Sequence, residues 1–475
     1  MKTIGSSNLE VEIADFVQQA KSYISSHQGT IEFDFTNQKS IVSHYLRSIN
    51  AHKLVGIELL LGSLFDQIGF NLIQDPLFKD LVLYRLVYPK SKLKTTEYLY
   101  RYENKSYSED AIYRYMDRLH CSQKELVQQI SFEHTKKILG NDVGVVFYDV
   151  TTVYFEIDNE DELRKTGFSK EGKHQNPQIV LGLLVSKNGY PLAYEIFERN
   201  KFEGHTMLPV VDAFKHKYGL GQLIIIADSG LLSKANVEEL QNKHYEFILG
   251  GRIRTEPKQI KDKILALELK HGQGAVIKKG KLKLIVTYSD QRAKKDMHNR
   301  EKGLKRPEKQ VRTGKLGKTN INNRGYNKYL KLDGEINVTI DYQKFEQDAK
   351  WDGLKGYITN ARLSTEKVIE NYRYLWQIEK AFRISKTDLK IRPIYHRLQR
   401  RIEAHICLSF VAYKIYKELE RQLYLRKATI SAEKAIEIAQ SIFEIQLSIP
   451  EQHQAIKHNL ILTDEQKLLA KLFDF

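Results

Sequence analysis

The chain is short of cysteine, of long apolar runs and of acid, and each shortage excludes something. Only two cysteines, Cys121 and Cys407, occur in 475 residues. They lie far apart, so the chain offers neither a disulfide framework nor a cysteine-based zinc site. No stretch approaches the roughly 18 consecutive apolar residues that cross a bilayer. The first residues, MKTIGSSNLEVEIADF, lack the apolar block of a secretion signal. A soluble, intracellular protein with no membrane partner is expected. Asp and Glu number 59 against 75 Lys and Arg, a formal net charge of +16. A surplus this large points to a polyanion, nucleic acid first and an anionic membrane surface second. Hydrophobic residues make up 41% of the chain, enough for a sizeable core, and the length suits about two to four domains.

Residues 1–140 read as a helical domain. SIVSHYLRSIN, GIELLLGSLFDQIGF and PLFKDLVLYRLVY carry apolar residues at helical spacing. Basic, tyrosine-rich helices suit a DNA-binding module, and a plain helical bundle fits equally well. The period changes near residue 144. GVVFYDVT, PQIVLGLLVS and YPLAYEIFE read as three strands, the last two joined by the turn signal Lys187-Asn188-Gly189. A helix, the strand LIIIAD, a second helix and the strand YEFILGG follow. Hairpin strands followed by alternating helix and strand predict a mixed sheet with helices on its faces, the order of a ribonuclease-H-like fold.

Residues 252–350 interrupt that core. Between Arg292 and Lys331 there are 14 Lys and Arg against 3 Asp and Glu. Within it, RTGKLGKTNINNRGYNK is dominated by Gly, Asn and Lys and is expected to be mobile until an anion orders it; the basic run is expected to serve as a DNA-backbone surface, and a solvated basic loop is the plainer reading. A strand near Trp351–Asn360, a helix from Ser364 and an amphipathic helix with Ile402, Ile406, Phe410, Tyr413 and Tyr416 on one face complete the pattern. The expected domains are 1–140, 141–251, 252–350 (β-rich insertion), 351–428 (second part of the core) and 429–475 (helical tail).

Three carboxylates stand where a carboxylate is unexpected. Asp149 interrupts VVFYDVTTVYFE, Asp228 ends LIIIAD, and Glu379 lies between Ile378 and Ala381-Phe382. Burying an unpaired carboxylate costs several kcal/mol. Either Asp alone is more commonly a hydrogen-bonded structural residue. In a ribonuclease-H-like sheet the first and fourth strands are neighbours, so the two acids would meet and a helix would bring the third. Mg²⁺ takes hard oxygen ligands and removes the mutual repulsion.

These residues resemble a DDE transposase of a bacterial insertion sequence, in the branch with a Tyr-Arg-Glu-Lys signature. FYDVTTVYFE, IIIADSGLLSKANVEEL and YRYLWQIEKAFRISKTDLKIRPIYHRLQRRIEAHI carry the likeness over roughly residues 145–415, with spacings of 79 residues from Asp149 to Asp228 and 151 from Asp228 to Glu379. The resemblance implies that Asp149, Asp228 and Glu379 are catalytic. It implies two Mg²⁺ ions, replaceable by Mn²⁺, and Mg²⁺-dependent cleavage of DNA at terminal inverted repeats with strand transfer into target DNA. It also implies a homodimer at synapsis and a bacterial, cytoplasmic, nucleoid-associated setting. Tyr372 and Lys386 match the signature as DNA contacts, but its Arg position holds Leu375. Arg373 and Arg383 are the candidates for the missing charge. Trp376, if exposed, would stack on an unpaired base, and Arg397 belongs to a basic cluster after Pro393 suited to phosphates. A nuclease without strand transfer, or a DNA-binding descendant without catalysis, would also fit.

Overall fold

The structure is a computed structural model of the chain; it describes residues 3–28, 42–43, 46–156, 160–161, 163–166, 175–198, 206–314, 316, 318–322, 325–334, 337–448 and 455–475. Contacts divide the chain into two compact units. One holds residues 1–130, 387–391 and 396–475, and the other holds 131–386 and 392–395.

The second unit is built on an eight-stranded sheet. Its strands are β1 (Val145–Tyr154), β2 (Gln178–Ser186), β3 (Pro191–Glu198), β4 (Ile224–Ala227), β5 (Glu246–Gly251), β6 (Gly274–Lys279), β7 (Leu282–Tyr288) and β8 (Leu354–Thr359). They lie in the order β3-β2-β1-β4-β5-β8-β7-β6. β4 is parallel to β1 and to β5, and the other neighbours are antiparallel. The sheet is therefore mixed, as the strand pattern predicts. Every residue of β2 is buried, which is why QIVLGLLVS is an unbroken apolar run rather than an alternation. The turn into β3 uses Gly189 at φ +80°.

Helix α1 (Met207–Lys217) joins β3 to β4 and buries Leu208, Val211 and Phe214 in a core shared with Val146, Val180, Ile225 and Phe247. Helix α2 (Lys234–Asn242) starts at Ser233, whose hydroxyl accepts from the Asn236 N–H at 3.1 Å.

Residues 252–350 differ from the β-rich insertion expected. The hairpin β6–β7 extends the main sheet beyond β8, and the longest element is helix α3 (Asp290–Arg312). The described part of the basic stretch carries apolar packing of its own. Leu304 of α3, Tyr329, Leu330 and Ile340 form a small core of their own, an apolar set too sparse to show in a charge count. The predicted single helix after Ser364 is two: α4 (Thr365–Arg373) and α5 (Trp376–Thr387). Between them the Tyr374 and Leu375 N–H groups reach back three residues, to Asn371 and Tyr372 oxygens, so the helix tightens there.

The first unit holds helices Pro76–Val87, Lys92–Glu103, most of Glu109–Ile138, and α6 (Gln399–Leu425). Ile402, Ile406, Phe410, Tyr413 and Tyr416 are buried as expected, but α6 is not amphipathic. Every residue from Ala404 to Leu419 is buried, Lys414 and Glu418 included. Residues 1–140 and the tail are also not helical throughout. Ile49–Leu54, Phe443–Ser448 and Ala455–Leu460 form an antiparallel three-stranded sheet. Each strand has six residues, too short for its period to stand out beside helices.

Candidate active site

Asp149 lies in β1 and Asp228 immediately after β4. The parallel ladder between them pairs Val145 with Ile224, Val146 with Ile225 and Phe147 with Ile226. Two residues further along each strand are Asp149 and Asp228. The Asp228 backbone is still extended (φ −74°, ψ 176°), so the two acids come out level on adjacent strands. One oxygen of Asp228, Oδ1, accepts the N–H groups of Gly230 at 2.7 Å and Leu231 at 3.3 Å. This fixes the Ser229–Leu231 turn and leaves Oδ2 for other work. Asp149 Oδ1 accepts the Val150 N–H at 2.8 Å. Both aspartates are half-buried, and Glu379, in the first turn of α5, is exposed.

Tyr372 ties the three together. It is buried, at 6% exposure. Burial first, and then the charges of Asp228, Glu379 and Asp149 with the neighbouring Tyr357 phenol, hold its hydroxyl protonated far above the usual range. One phenol thus feels all three carboxylates, from two strands and a helix. Its seat depends on Gly250 of β5. A Cβ there would stand 2.6 Å from the Tyr372 hydroxyl and 2.9 Å from the Ser229 nitrogen. Glycine lets the phenol and the turn behind Asp228 approach the strand.

Two cations that the sequence reading passed over complete the surroundings. Lys355, on β8, places Nζ 4.6 Å from the centre of the Tyr372 ring and 5.5 Å from that of Tyr357. Burial and then Arg292 lower its pKa, while the charge of Glu379 opposes the shift. Arg252 donates to the carbonyls of Ser229 at 2.9 Å and Gly230 at 3.3 Å, bracing the Asp228 turn. Both also line a cleft of about 460 Å³. Arg254, Arg292, Arg300 and Lys328 line the same cleft, with Asp296 and Asp352 among them. Arg300 is paired with Asp352 at 2.6 Å. A lone lysine on a strand has no sequence signature, so only the fold identifies Lys355.

The other predicted positions fall as follows. Leu375, at the signature's Arg position, is buried at 7% exposure. Arg373 and Arg383 are exposed, Lys386 is half-buried, and the Trp376 ring is 50% exposed. Arg397 is exposed and belongs to the first unit. His174 and His205, which lack metal-ligand spacing in the sequence and are expected to be structural or DNA-facing, lie outside the described residues.

Among the described residues no three His, Cys, Asp or Glu side chains are gathered tightly enough to form a ready cation site. The donor chemistry nevertheless fits a hard divalent cation: the acids converging on Tyr372 offer only carboxylate oxygens, and Asp228 keeps one oxygen outside its turn. No helix among the described residues is long and apolar enough to cross a membrane.

Residues 144–415 match a family model described as transposase DDE domain. Among solved structures, the chain is similar to piggyBac transposase in a synaptic complex with hairpin DNA. That likeness has a TM-score of 0.41 and 8% identity, over 83% of this chain and 80% of the other. No curated protein matches the chain.

Proposed function

The chain belongs to the DDE transposase family, and on that premise we propose that it cuts DNA at the ends of a mobile element and joins them to target DNA, with Asp149, Asp228 and Glu379 as the catalytic carboxylates. The observation that carries this reading is the level placement of Asp149 and Asp228 on adjacent parallel strands, with Tyr372 seated against the turn that follows Asp228. The strand order β3-β2-β1-β4-β5, with Asp149 and Asp228 level on β1 and β4, supports a ribonuclease-H-like core.

Asp149, Asp228 and Glu379 would hold Mg²⁺ through oxygen alone, two ions by this reading, with Mn²⁺ able to replace them. When bound, such ions activate the attacking oxygen and neutralise the leaving one. The protein's part is positioning. The Asp228 turn is fixed from within by its own carboxylate and from outside by Arg252. Tyr372, kept protonated, presents a neutral donor among anions and holds β5, α4 and the turn in register. Glu379, on the exposed first turn of α5, would supply the third carboxylate.

Tyr372, Glu379 and Lys386 fit the Tyr-Arg-Glu-Lys branch of bacterial insertion sequences. A buried Leu375 cannot present a guanidinium to DNA, and Lys355, beside Tyr372 and within the field of Glu379, supplies the cation instead. Lys386, Arg383, Arg373 and Arg397 are the proposed phosphate contacts, and the exposed Trp376 ring is a platform for an unpaired base. The helical N-terminal region would read the terminal inverted repeats, and synapsis of two ends implies a homodimer. A cytoplasmic, nucleoid-associated setting follows from this activity.

The test uses labelled element ends, a target plasmid and Mg²⁺. Asp149→Asn, Asp228→Asn and Glu379→Gln are each expected to lower end cleavage at least ~100-fold while DNA binding persists. A variant that cleaves at the wild-type rate is not a catalytic residue. Cleavage without capture of the ends by the plasmid would reduce the assignment to a nuclease.

A further inference from the structure

The first unit contains a buried group of cations that the transposition site does not use. Arg85, at the end of Pro76–Val87, is 7% exposed. Lys92, the first residue of Lys92–Glu103, is 7% exposed. His405, in the second turn of α6, is 5% exposed, and His396, just before α6, is partly exposed. The His396 and His405 rings are 5.4 Å apart. Arg85 donates an Nη2 N–H to His405 Nδ1 at 2.6 Å, and His405 Nε2 lies 3.0 Å from the Ile391 carbonyl. That geometry sets the imidazole as a neutral ring with its proton on Nε2, used on Ile391, so that Nδ1 serves as an acceptor.

No acid answers these charges. Among the described residues neither Arg85 nor Lys92 meets a carboxylate, and the charged group acting on the Lys92 ammonium is Arg85 itself. The nearby acid, Asp117, is already held by Arg400 at 2.9 Å and Arg401 at 2.7 Å. One guanidinium amino group is spent on His405; among the described residues the rest of that fork and the Lys92 ammonium have no hydrogen-bond partner. Two like charges taken out of water without a counter-charge cost several kcal/mol, and burial, then Arg85, accordingly lower the Lys92 pKa well below that of a free lysine; an anion bound beside it would restore the ammonium. A fold keeps such an arrangement when an anion completes it. A planar fork beside a point-charge ammonium is the donor set that recognises a tetrahedral oxyanion. His396, at the partly exposed side, adds the single N–H of its neutral ring as a third donor.

We propose that Arg85, Lys92 and His396, with His405 orienting Arg85, form a phosphate-binding site in the first unit, separate from the three carboxylates. Its ligand is a phosphate oxyanion, either one phosphodiester of DNA or a free phosphate. Lys92 and Arg85 bind it directly, and His405 is a positioning residue.

The test follows thermal unfolding of the full-length chain in inorganic phosphate, with ionic strength held constant by chloride. Wild type is expected to gain about 2 °C or more. Lys92→Met should abolish the gain and Lys92→Arg should keep it. The methionine variant removes an uncompensated buried charge, so it is expected to fold, and the wild-type response needs no variant. Duplex binding separates the two sources. If Lys92→Met also weakens a short duplex several-fold and phosphate competes with that duplex, the ligand is a backbone phosphate. If only the phosphate response is lost, the ligand is a free ion. A wild-type protein that responds equally to phosphate and chloride, or a Lys92→Met protein that responds as wild type does, overturns the site. Failed cleavage by the carboxylate variants would bear on the transposase reading alone.

Discussion

Asp149 and Asp228 stand level on neighbouring parallel strands, each two residues past the paired positions Phe147 and Ile226. Parallel neighbours lie about 4.8 Å apart, and residues level with each other on such strands point to one face. Two carboxylates held this way repel unless a cation lies between them. Thermal unfolding should therefore respond to Mg²⁺ before any DNA is present. A rise of about 2 °C or more at saturating Mg²⁺ is expected for wild type, reduced by Asp228→Asn. Equal Mg²⁺ responses in the two proteins would separate this pair of acids from the cation.

Gly250 makes a second prediction, because it underlies both the Tyr372 hydroxyl and the Ser229 nitrogen. A methyl at 2.6 Å from one and 2.9 Å from the other must displace the phenol and the Asp228 turn. Gly250→Ala is expected to lower end cleavage ~10-fold or more while leaving the circular dichroism spectrum unchanged. Tyr372→Phe, which removes the clashing hydroxyl, should restore part of that loss in the double variant. The restoration stays partial because the Ser229 backbone is still in the way. Strictly additive effects would show that the two residues do not share one seat.

The acids were legible in the sequence because a carboxylate inside VVFYDVT or at the end of LIIIAD breaks an apolar pattern, and such breaks are what periodicity exposes. The strand order was legible for the same reason, each strand being an apolar run bounded by turn residues. Lys355 and Arg252 were not legible. A lysine at the partly buried start of a strand and an arginine after a glycine pair break no pattern, and only the pairing of β8 with β5 brings them to the acids. In the basic insertion, charge masked the packing. Net charge hides Leu304, Tyr329 and Leu330, which with Ile340 form a small core against helix α3. The helical division at Tyr374–Leu375 was hidden because both residues fit a helix by composition, and tertiary packing of Leu375 decides the turn.

Lys355 gives a third prediction. If it takes the place of the arginine that Leu375 displaces, Lys355→Met should cut end cleavage ~10-fold or more. Arg373→Ala and Arg383→Ala, on exposed positions of α4 and α5, should each cost less. Lys355→Arg should retain most activity, since the charge survives. The ranking is the readout: a larger loss from Arg373→Ala or Arg383→Ala would return the role to that arginine.

The paired histidines of the first unit set a pH dependence. Burial, with Lys92, Arg85 and Arg401 close by, pulls the His396 pKa down to about 3, and burial, then Arg85, His396 and Lys92, lowers that of His405 well below its usual value. Both rings are therefore neutral in the folded chain. An unfolded chain takes up protons on them below about pH 6.5. Above that pH the folded and unfolded forms bind equal numbers of protons at these sites, and stability is independent of them. As pH falls from about 6.5 toward 3, the unfolded state gains protons that the folded state refuses, so stability falls. Urea unfolding at pH 7.5, 6.5 and 5.5 should show the midpoint dropping across the lower interval. His396→Asn should flatten that drop, since asparagine does not titrate. A slope unchanged by the substitution would assign the acid sensitivity to carboxylates elsewhere in the chain.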